Sequence, residues 1–313
     1  MHMVGRVTQN MFGMNLLKNL NSNLSKLNKY SEQMSSLRKI NRPSDDPVGI
    51  SYSLRYRSDM AANSQYKSNL DSAQSFLDYT DTMLGQVTDV IHRIRELTVQ
   101  GANGTNPDVS LDSIKNEIIQ LKDQLKQIAN SSFNGKYVFN GQLTNVKPYG
   151  DDVAPEYVTA IDTGAIRYEI GQGIYIGVNV TGKDVFGEGI TLDENGEVTD
   201  PESDNLFYVV ENIIQALANS DTDALNDALT RLDSRFDKLL EVRSQVGAKA
   251  NRLDLAEERL GDIDINLQTL LSKTEDVDMA ELIVNMKTAE NAYQASLSAG
   301  ARIIQPSLVD YLR

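Results

Sequence analysis

The sequence predicts a mainly α-helical protein, an elongated antiparallel helical bundle or coiled coil with a small β-rich insertion. Apolar residues recur at steps of three and four along most of the chain, and only the middle shows glycine-punctuated β-type runs. The 313 residues are 40% hydrophobic but only 6% aromatic, with no tryptophan. Long helices lined by aliphatic side chains fit this composition better than a wide core does.

Charge and cysteine content exclude several classes of function. The net charge of −14 argues against binding to nucleic acid, which requires a basic surface. The charge is uneven, because residues 1–47 carry a net +4 and residues 151–200 a net −9. The absence of cysteine excludes disulfides and thiolate chemistry. No apolar run is long enough to span a membrane, and the first thirty residues lack the apolar core of a cleaved secretory signal.

The first long helix is predicted over Val7–Ile40. Pro43 disfavours helix in the residue before it, and Asp45 or Asp46 can cap a second helix that has Pro47 in its first turn. The apolar residues of the first helix form one predicted stripe in which only the position of Ser31 is vacant. That stripe comprises Val7, Met11, Met14, Leu17, Leu20, Leu24, Leu27, Met34 and Leu37.

The second helix is predicted over Pro47–Gln100 and a third helix after Ser110. The short, glycine-containing connection between them predicts an antiparallel hairpin. The predicted seam of the second helix is Leu70, Ala73, Leu77, Thr80, Leu84, Val87, Ile91, Ile94 and Thr98. That of the third is Leu111, Ile114, Ile118, Leu121, Leu125 and Ile128.

The period changes at Ser131. Asn134–Gly141 is typical of a turn, a short strand and a second turn, and β-type runs follow at Tyr157–Ile161, Ala165–Ile170 and Ile174–Val180. These features predict a small β-rich insertion, which acidic loops connect back to the helices.

Helix is predicted again from about Asn205, with a break at Ser220 and Asp221 and then one long helix. Its apolar residues keep a single heptad phase from Leu225 to Val277. Arg243 and Glu257 are the polar exceptions, and polar residues at isolated seam positions are expected to fix the register of packing.

The last forty residues carry a stripe that is out of phase with this long helix. It consists of Met279, Leu282, Met286, Ala289, Tyr293, Leu297 and Ile304. A displacement of two residues is about 200° around a helix, so one straight helix cannot present both seams to one partner. We therefore predict a break within Thr274–Asp278. The stripes at the two ends of the chain are expected to pair with each other, with other copies of the chain, or with both.

These boundaries predict five segments. They are an N-terminal assembly helix (1–42), two parts of a helical core domain (43–133 and 204–274), the β-rich insertion (134–203) and a C-terminal assembly helix (275–313).

The sequence predicts no catalytic, cofactor-binding or metal site. His2 and His92 are the only histidines, and no nucleophile elbow, phosphate loop or metal-ligand spacing is found. Four tyrosines of the insertion could form a glycan-binding face, although half-buried strand residues are the better interpretation of them; they are Tyr149, Tyr157, Tyr168 and Tyr175.

Asn41, Arg42, Pro43, Asp45, Asp46 and Pro47, in the run Asn-Arg-Pro-Ser-Asp-Asp-Pro, resemble a segment of the flagellin superfamily. Flagellins usually have alanine at the position of Pro47, so the Asp-Asp-Pro form is more similar to the hook-filament junction proteins. Asn134–Gly141, the ending Ala295–Leu312 and the opening Arg6–Gln9 also resemble that family, although five residues precede the opening.

The resemblance implies a flagellin-like core domain and a secreted structural protein at the hook-filament junction of the bacterial flagellum, exported by the type III route. Implied partners are flagellin, the first hook-associated protein, a ring of about eleven copies of the chain itself, and an export chaperone on the C-terminal helix. No cofactor, nucleic acid or membrane insertion is expected. The predicted assembly interface comprises Met11, Met14, Leu17, Leu20, Leu24, Leu27, Met34, Leu37, Leu282, Met286, Tyr293, Leu297, Ile304 and Leu308.

Three alternatives remain open from the sequence. The first is a filament subunit, that is, a flagellin. The second is an adhesin or binding module that uses the β insertion. The third, an enzyme, is disfavoured because no set of nucleophile, base and ligand residues is present.

Overall fold

The computed structural model describes residues 9–103, 108–150, 153–192, 198, 200 and 202–304. Helices dominate this part of the chain, and the predicted fold class is confirmed. The helices are α1 (Gln9–Ser36), α2 (Pro47–Ala102), α3 (Asp108–Ala129), α4 (Gly182–Phe186), α5 (Leu206–Ala218), α6 (Thr222–Glu275) and α7 (Met279–Ile304). The strands are β1 (Ser132–Phe133), β2 (Lys136–Tyr137), β3 (Arg167–Gly171) and β4 (Ile174–Gly177).

The chain divides into two compact units. The first, which we call the terminal unit, comprises Met1–Ala62 and Ile263–Arg313, and the second, the central unit, comprises Asn63–Asp262. The terminal unit contains α1, α7, the start of α2 and the end of α6. The remainder of α2 and α6, with α3, α5 and the insertion, forms the central unit.

The core of the central unit is formed mainly by the seams that the sequence predicts. Every predicted seam residue of α2, from Leu70 to Thr98, is buried. Thr80 and Thr98 are tolerated among apolar neighbours because each hydroxyl donates to the carbonyl four residues earlier, at 2.7 Å in both cases. On α3 the predicted seam residues are buried apart from Leu121, which is partly buried against the same core.

Helix α6 is buried at every seventh residue, as its heptad pattern predicts. Leu225, Leu232, Leu239, Val246, Leu253 and Leu260 are at most 2% exposed. Arg243 occupies the other predicted seam position, four residues after Leu239, and pairs with Asp81 of α2, with donor–acceptor distances of 2.9 and 3.3 Å. The prediction that Arg243 fixes the register is consistent with this pair, whereas Glu257 is exposed.

Four aromatic rings hold the insertion against the helices. Phe139, Tyr149, Phe186 and Phe207 are buried, with ring centroids 5.0–5.6 Å apart in successive pairs. Burial raises the pKa of the Tyr149 phenol well above its usual range. This cluster makes the β-rich segment continuous with the apolar core of the helices.

Two details of the predicted insertion are wrong. Tyr157–Ile161 is not a strand, because Pro155–Tyr157 forms a 3₁₀ turn and the following residues are irregular. The short helix α4 was not predicted, although Thr181 and Asp184 form a capping box at its start. The predicted turn at Asn134 is present and joins β1 to β2: Asn134 and Gly135 have φ angles of 51° and 75°, the positive values that a tight hairpin turn requires.

Most helix boundaries agree with the predictions, and two do not. Helix α1 ends at Ser36 rather than at Ile40, because Leu37 adopts a left-handed backbone with φ of 58°. Helix α3 begins at Asp108, two residues before the predicted cap Ser110. The predicted break within Thr274–Asp278 is confirmed, because α6 ends at Glu275 and α7 begins at Met279.

Candidate assembly interface

Helices α1 and α7 pair in antiparallel orientation in the terminal unit. The Asn23 side-chain amide donates to the Ser296 hydroxyl at 3.0 Å. Leu16 lies against Gly300, where an added Cβ would come within 2.9 Å of its Cδ2 atom. The two ends of the chain therefore pair with each other, which is one of the arrangements that their stripes predict.

On α7 the predicted interface residues are divided between the helix pair and the surface. Leu282 is 3% exposed, and Met286 and Tyr293 are half-buried, whereas Leu297 is 44% exposed. Ile304 is the last residue of α7, and Leu308 lies outside the described residues.

On α1 the predicted single stripe is wrong, because it divides into two faces. Leu20, Leu24 and Leu27 are half-buried, but Met11, Met14 and Leu17 are 46%, 64% and 60% exposed. From Met11 to Leu20 the apolar residues are three apart, which is less than one helical turn, so the stripe winds around the helix. Met11 and Leu20 therefore lie about 180° apart on the helix. Met34 and Leu37 are exposed as well.

The residues of α1 that contact α7 include two that the prediction omitted, Leu16 and Asn23. The signal was present, because residues 16, 20, 23, 27 and 30 alternate steps of four and three without interruption. All five are half-buried.

The segment that resembles flagellins forms the corner between α1 and α2. One carboxylate oxygen of Asp46 accepts from the amides of Val48 and Gly49, at 3.1 and 2.9 Å, and so caps α2. The carboxylate of Asp45 instead accepts from the amides of Asn41 and Arg42 and pairs with Lys29 at 2.9 Å. The Lys29 bond, opposed by burial and supported by the two amides, holds the pKa of Asp45 below its usual value.

Gly49 and Ile40 close this corner. A Cβ at Gly49 would lie 2.5 Å from both the Asp46 carboxylate and the Cδ1 atom of Ile40, which is 4% exposed. Glycine is therefore required for the close approach of the α2 start to the end of the α1 segment. Arg42, also in the corner, pairs with Glu32 of α1 at 2.9 Å.

The carboxylate of Glu275, at the end of α6, is buried among basic and hydroxyl groups of the terminal unit. Its oxygens accept from the Ser53 hydroxyl at 2.8 Å and from the Arg57 guanidinium at 3.2 Å, and they pair with Arg38 at 2.9 Å. Burial alone would raise the pKa of Glu275, but the bonds from Arg57 and Ser53 and the charge of Arg38 lower it overall.

The backbones beside Glu275 are also paired. Lys39 donates its amide to the Glu275 carbonyl at 2.6 Å, and Val277 donates to the Leu37 carbonyl at 3.3 Å. Arg38 and Asp276 form an antiparallel bridge between these bonds. The non-helical segment after α1 and the non-helical segment before α7 are therefore joined by a β-bridge.

Exposed apolar side chains are concentrated in the terminal unit. Among the described residues, it holds more than half of the large exposed hydrophobic side chains although it is the smaller unit. Within the described part of this unit, in contrast, the buried apolar residues are Ile40, Leu282 and Ala289. Exposed apolar surface of this kind is typical of a surface that other proteins cover.

The described part of the chain shows no cluster of His, Cys, Asp or Glu side chains that could hold a metal ion. None of the helices in that part combines the length and the apolarity that a membrane crossing requires. The exposed apolar side chains of the terminal unit make that unit the candidate surface for protein assembly.

Sequence comparison places the chain in a family whose two ends are helical. The bacterial flagellin N-terminal helical region matches residues 7–144, and the bacterial flagellin C-terminal helical region matches residues 229–312. Together they cover more than half of the chain and include α1, α2, α3, α7 and most of α6. The chain belongs to the bacterial flagellin family, and it is a structural component of the bacterial flagellum.

The similar proteins include both hook-associated proteins and filament proteins. The chain is 29% identical over 304 residues to flagellar hook-associated protein 3 of Escherichia coli, covering 93% of this chain and 94% of that protein. It is 28% identical over 297 residues to a flagellar filament core protein of Treponema maltophilum, covering 93% of each. The fold is similar to that of a putative flagellar hook-associated protein from Vibrio parahaemolyticus, with a TM-score of 0.63 and 18% identity over 74% of this chain and all of that one.

Proposed function

We propose that this chain is a junction protein that joins the hook, through the first hook-associated protein, to the flagellin filament. In this proposal, about eleven copies form a closed ring whose subunits contact one another through the terminal unit. The observation that carries the proposal is the concentration of exposed apolar side chains on the unit that contains α1, α7 and the Asn41–Pro47 corner. The similarity to hook-associated protein 3 of Escherichia coli over nearly the whole chain supports the junction.

The exposed faces of α1 and α7 are the surfaces available to neighbours. Met14 and Leu17 of α1, and Ile283 and Val284 of α7, are 44–64% exposed. Because the α1–α7 pair buries few apolar side chains completely, little surface burial offsets the entropy of ordering two long helices in an isolated subunit. Neighbouring subunits would supply the missing burial.

Export is part of the same proposal. Before export, a chaperone covers the apolar stripe of the C-terminal helix. The chain then passes unfolded through the flagellar type III channel. The stripe from Leu282 to Leu297 is a suitable target, because a chaperone that masks it would also prevent premature pairing with α1.

Deletion of the gene tests the proposal. A strain without a junction protein should make complete hooks without filaments and should release flagellin monomers into the medium, because the filament has nothing on which to begin. Complementation with the full chain should restore filaments. Normal filaments in the deletion strain would overturn the proposal.

A filament subunit is the second candidate, because a filament core protein matches almost as well as hook-associated protein 3. The same strain separates the two. A deleted filament subunit would leave hooks without filaments but would release no other flagellin, and the purified chain would polymerise into long filaments by itself.

The monomer should show mobile ends before assembly. The predicted mobile ends are residues 1–35 and 280–313, of which 1–8 and 305–313 lie outside the described residues. We expect the amides of residues 9–35 and 280–304 to exchange rapidly in a dilute monomer and to become protected in the assembled flagellum. Hydrogen exchange followed by mass spectrometry measures both states. Full protection of these residues in the dilute monomer would contradict the prediction.

A further inference from the structure

The buried carboxylate of Glu275 lies where four helices begin or end. Its partners come from the segment after α1 (Arg38) and from the first turns of α2 (Ser53 and Arg57), while its own backbone ends α6 three residues before α7 begins. All of these residues belong to the terminal unit. The side chain of Glu275 is only 5% exposed, so its charge depends on these partners rather than on water.

The backbone shows the same convergence. The β-bridge of Leu37–Lys39 with Glu275–Val277 joins two non-helical breaks that are more than two hundred residues apart in the sequence. The Gln33 side chain, 7% exposed, donates to the Lys39 carbonyl at 2.7 Å and so ties the last turns of α1 to the bridge. We call the β-bridge and the Glu275 carboxylate with its three side-chain partners the latch.

We propose that Glu275 is a positioning residue, and that the latch fixes the points from which α1 and α7 leave the ends of α2 and α6. This proposal deepens the proposed function and rests on it in one respect, the purpose of the latch. That purpose is to present the α1–α7 pair to neighbouring subunits in one direction. The latch stays closed in the monomer, so that disorder of α1 and α7 does not extend into α2 and α6.

Physical chemistry favours a carboxylate in this role. Helices joined by non-helical residues would otherwise swing, because three such residues follow Glu275 and Leu37 breaks the other connection. A carboxylate accepts several hydrogen bonds at once, and its bonds to guanidinium groups are about twice as strong as neutral ones. One side chain can therefore hold two connections in fixed geometry.

The isosteric variant Glu275→Gln tests the latch in the full-length monomer. We expect amide exchange to become about tenfold faster in the β-bridge, in the first turns of α2 and in the last turns of α6, because a charged acceptor is lost. Exchange in the central unit should not change. The matched control is Glu290→Gln on α7, which removes a carboxylate paired with Lys287 at the surface and should leave the latch as in the native chain.

A double-mutant cycle identifies the pair responsible. Arg57→Gln alone should also accelerate exchange in the latch, and the combination with Glu275→Gln should be little worse than Glu275→Gln alone. Additive effects of the two substitutions would contradict the cooperation of Glu275 and Arg57.

A distance measurement reports positioning directly. Because the chain has no cysteine, Ser44→Cys and Ser272→Cys introduce the only two labelling sites, both exposed, near the latch and outside the ends that should be mobile in the monomer. Pulsed electron resonance on the spin-labelled monomer should give one narrow distance distribution, and Glu275→Gln should broaden it. Glu290→Gln should not.

Three results would overturn the latch: unchanged exchange and distances in Glu275→Gln, equal loss of protection in both units, or the same loss in Glu290→Gln. These measurements need only the monomer, so they are independent of the deletion strain. Normal filaments in that strain together with a closed latch would contradict the junction role alone. Hooks without filaments together with an unaffected Glu275→Gln variant would contradict the latch alone.

Discussion

Asp204 and Arg235 show how single residues stabilise the central unit. Arg235 is 5% exposed and donates to the carbonyls of Asp204 and Asp184 at 3.0 and 3.2 Å, and to the Asp204 carboxylate at 2.7 Å. Lys238 pairs with the other carboxylate oxygen. Gly187, with φ of 93°, leaves room for this arrangement, because a Cβ there would lie 3.0 Å from the guanidinium. The group joins α6 to the loop before α5.

This carboxylate should make the central unit sensitive to acid. Burial raises the pKa of Asp204, but the bonds from Lys238 and Arg235 outweigh it and lower the pKa below the ordinary 3.8. Because the folded-state pKa is the lower one, the stabilisation is present above about pH 4 and is lost as the pH falls through the folded-state pKa. We expect urea unfolding to show that loss in the native chain.

The matched variant is Asp204→Asn, which should be less stable at neutral pH and should lose less stability on acidification. Asp237→Asn removes an exposed acid from α6, the helix that carries Arg235, and should follow the native pH profile. An identical pH profile for Asp204→Asn and the native chain would contradict the assignment.

Residue pairs of this kind could not be predicted from the sequence. Asp204 and Arg235 are 31 residues apart, and Arg57 and Glu275 are 218 apart. Neither pair follows a periodic pattern, and each depends on the path of intervening loops. The cap at Asp46 was predictable as one of two candidates, because the residues that it satisfies are its immediate neighbours.

At the scale of elements, the heptad of α6 makes a sharp distinction between adjacent residues. Leu239 is fully buried, whereas Leu240 is 42% exposed. We expect Leu239→Ala to lower the free energy of unfolding by about 2–5 kcal/mol, because it removes buried contacts and leaves a cavity. Leu240→Ala makes the same chemical change one position away and should cost less than about 1 kcal/mol.

Urea or thermal unfolding of both variants measures the difference. Equal destabilisation by the two substitutions would mean that the face of α6 is assigned wrongly. A small effect of Leu239→Ala alone would mean that the seam is less tightly packed than its burial indicates.

Long helices were predictable because their seams repeat many times, and the break at Thr274–Asp278 was predictable because two long phases disagree. Short elements were not. Helix α4 has only five residues, too few to show a period, and Tyr157–Ile161 has strand-like composition although Pro155 begins a 3₁₀ turn beside it. The stripe of α1 was misjudged where steps of three accumulate, from Met11 to Leu20.

At the scale of the whole molecule, the two units distribute apolar surface in opposite ways. The central unit buries most of its predicted seam residues, whereas the terminal unit exposes much of its apolar surface. Regular helices in both units follow from the same kind of pattern, so periodicity alone could not distinguish a seam that is filled within the chain from one that other subunits fill. That distinction required the exposure of each side chain.

A pair of leucines tests whether the exposed surface of the terminal unit serves assembly. Leu17 of α1 and Leu255 of α6 are 60% and 69% exposed, the first in the terminal unit and the second in the central unit. We expect Leu17→Asp to weaken association about tenfold or more, because a charge replaces an apolar contact between subunits. Leu255→Asp introduces the same charge into a helix of the central unit and should leave assembly unchanged.

Complementation of the deletion strain, scored by electron microscopy of filaments, measures assembly. Urea unfolding of each monomer should show equal stability, which separates an assembly defect from a folding defect. Full-length filaments with Leu17→Asp, or their loss with Leu255→Asp alone, would mean that subunits associate through a different surface.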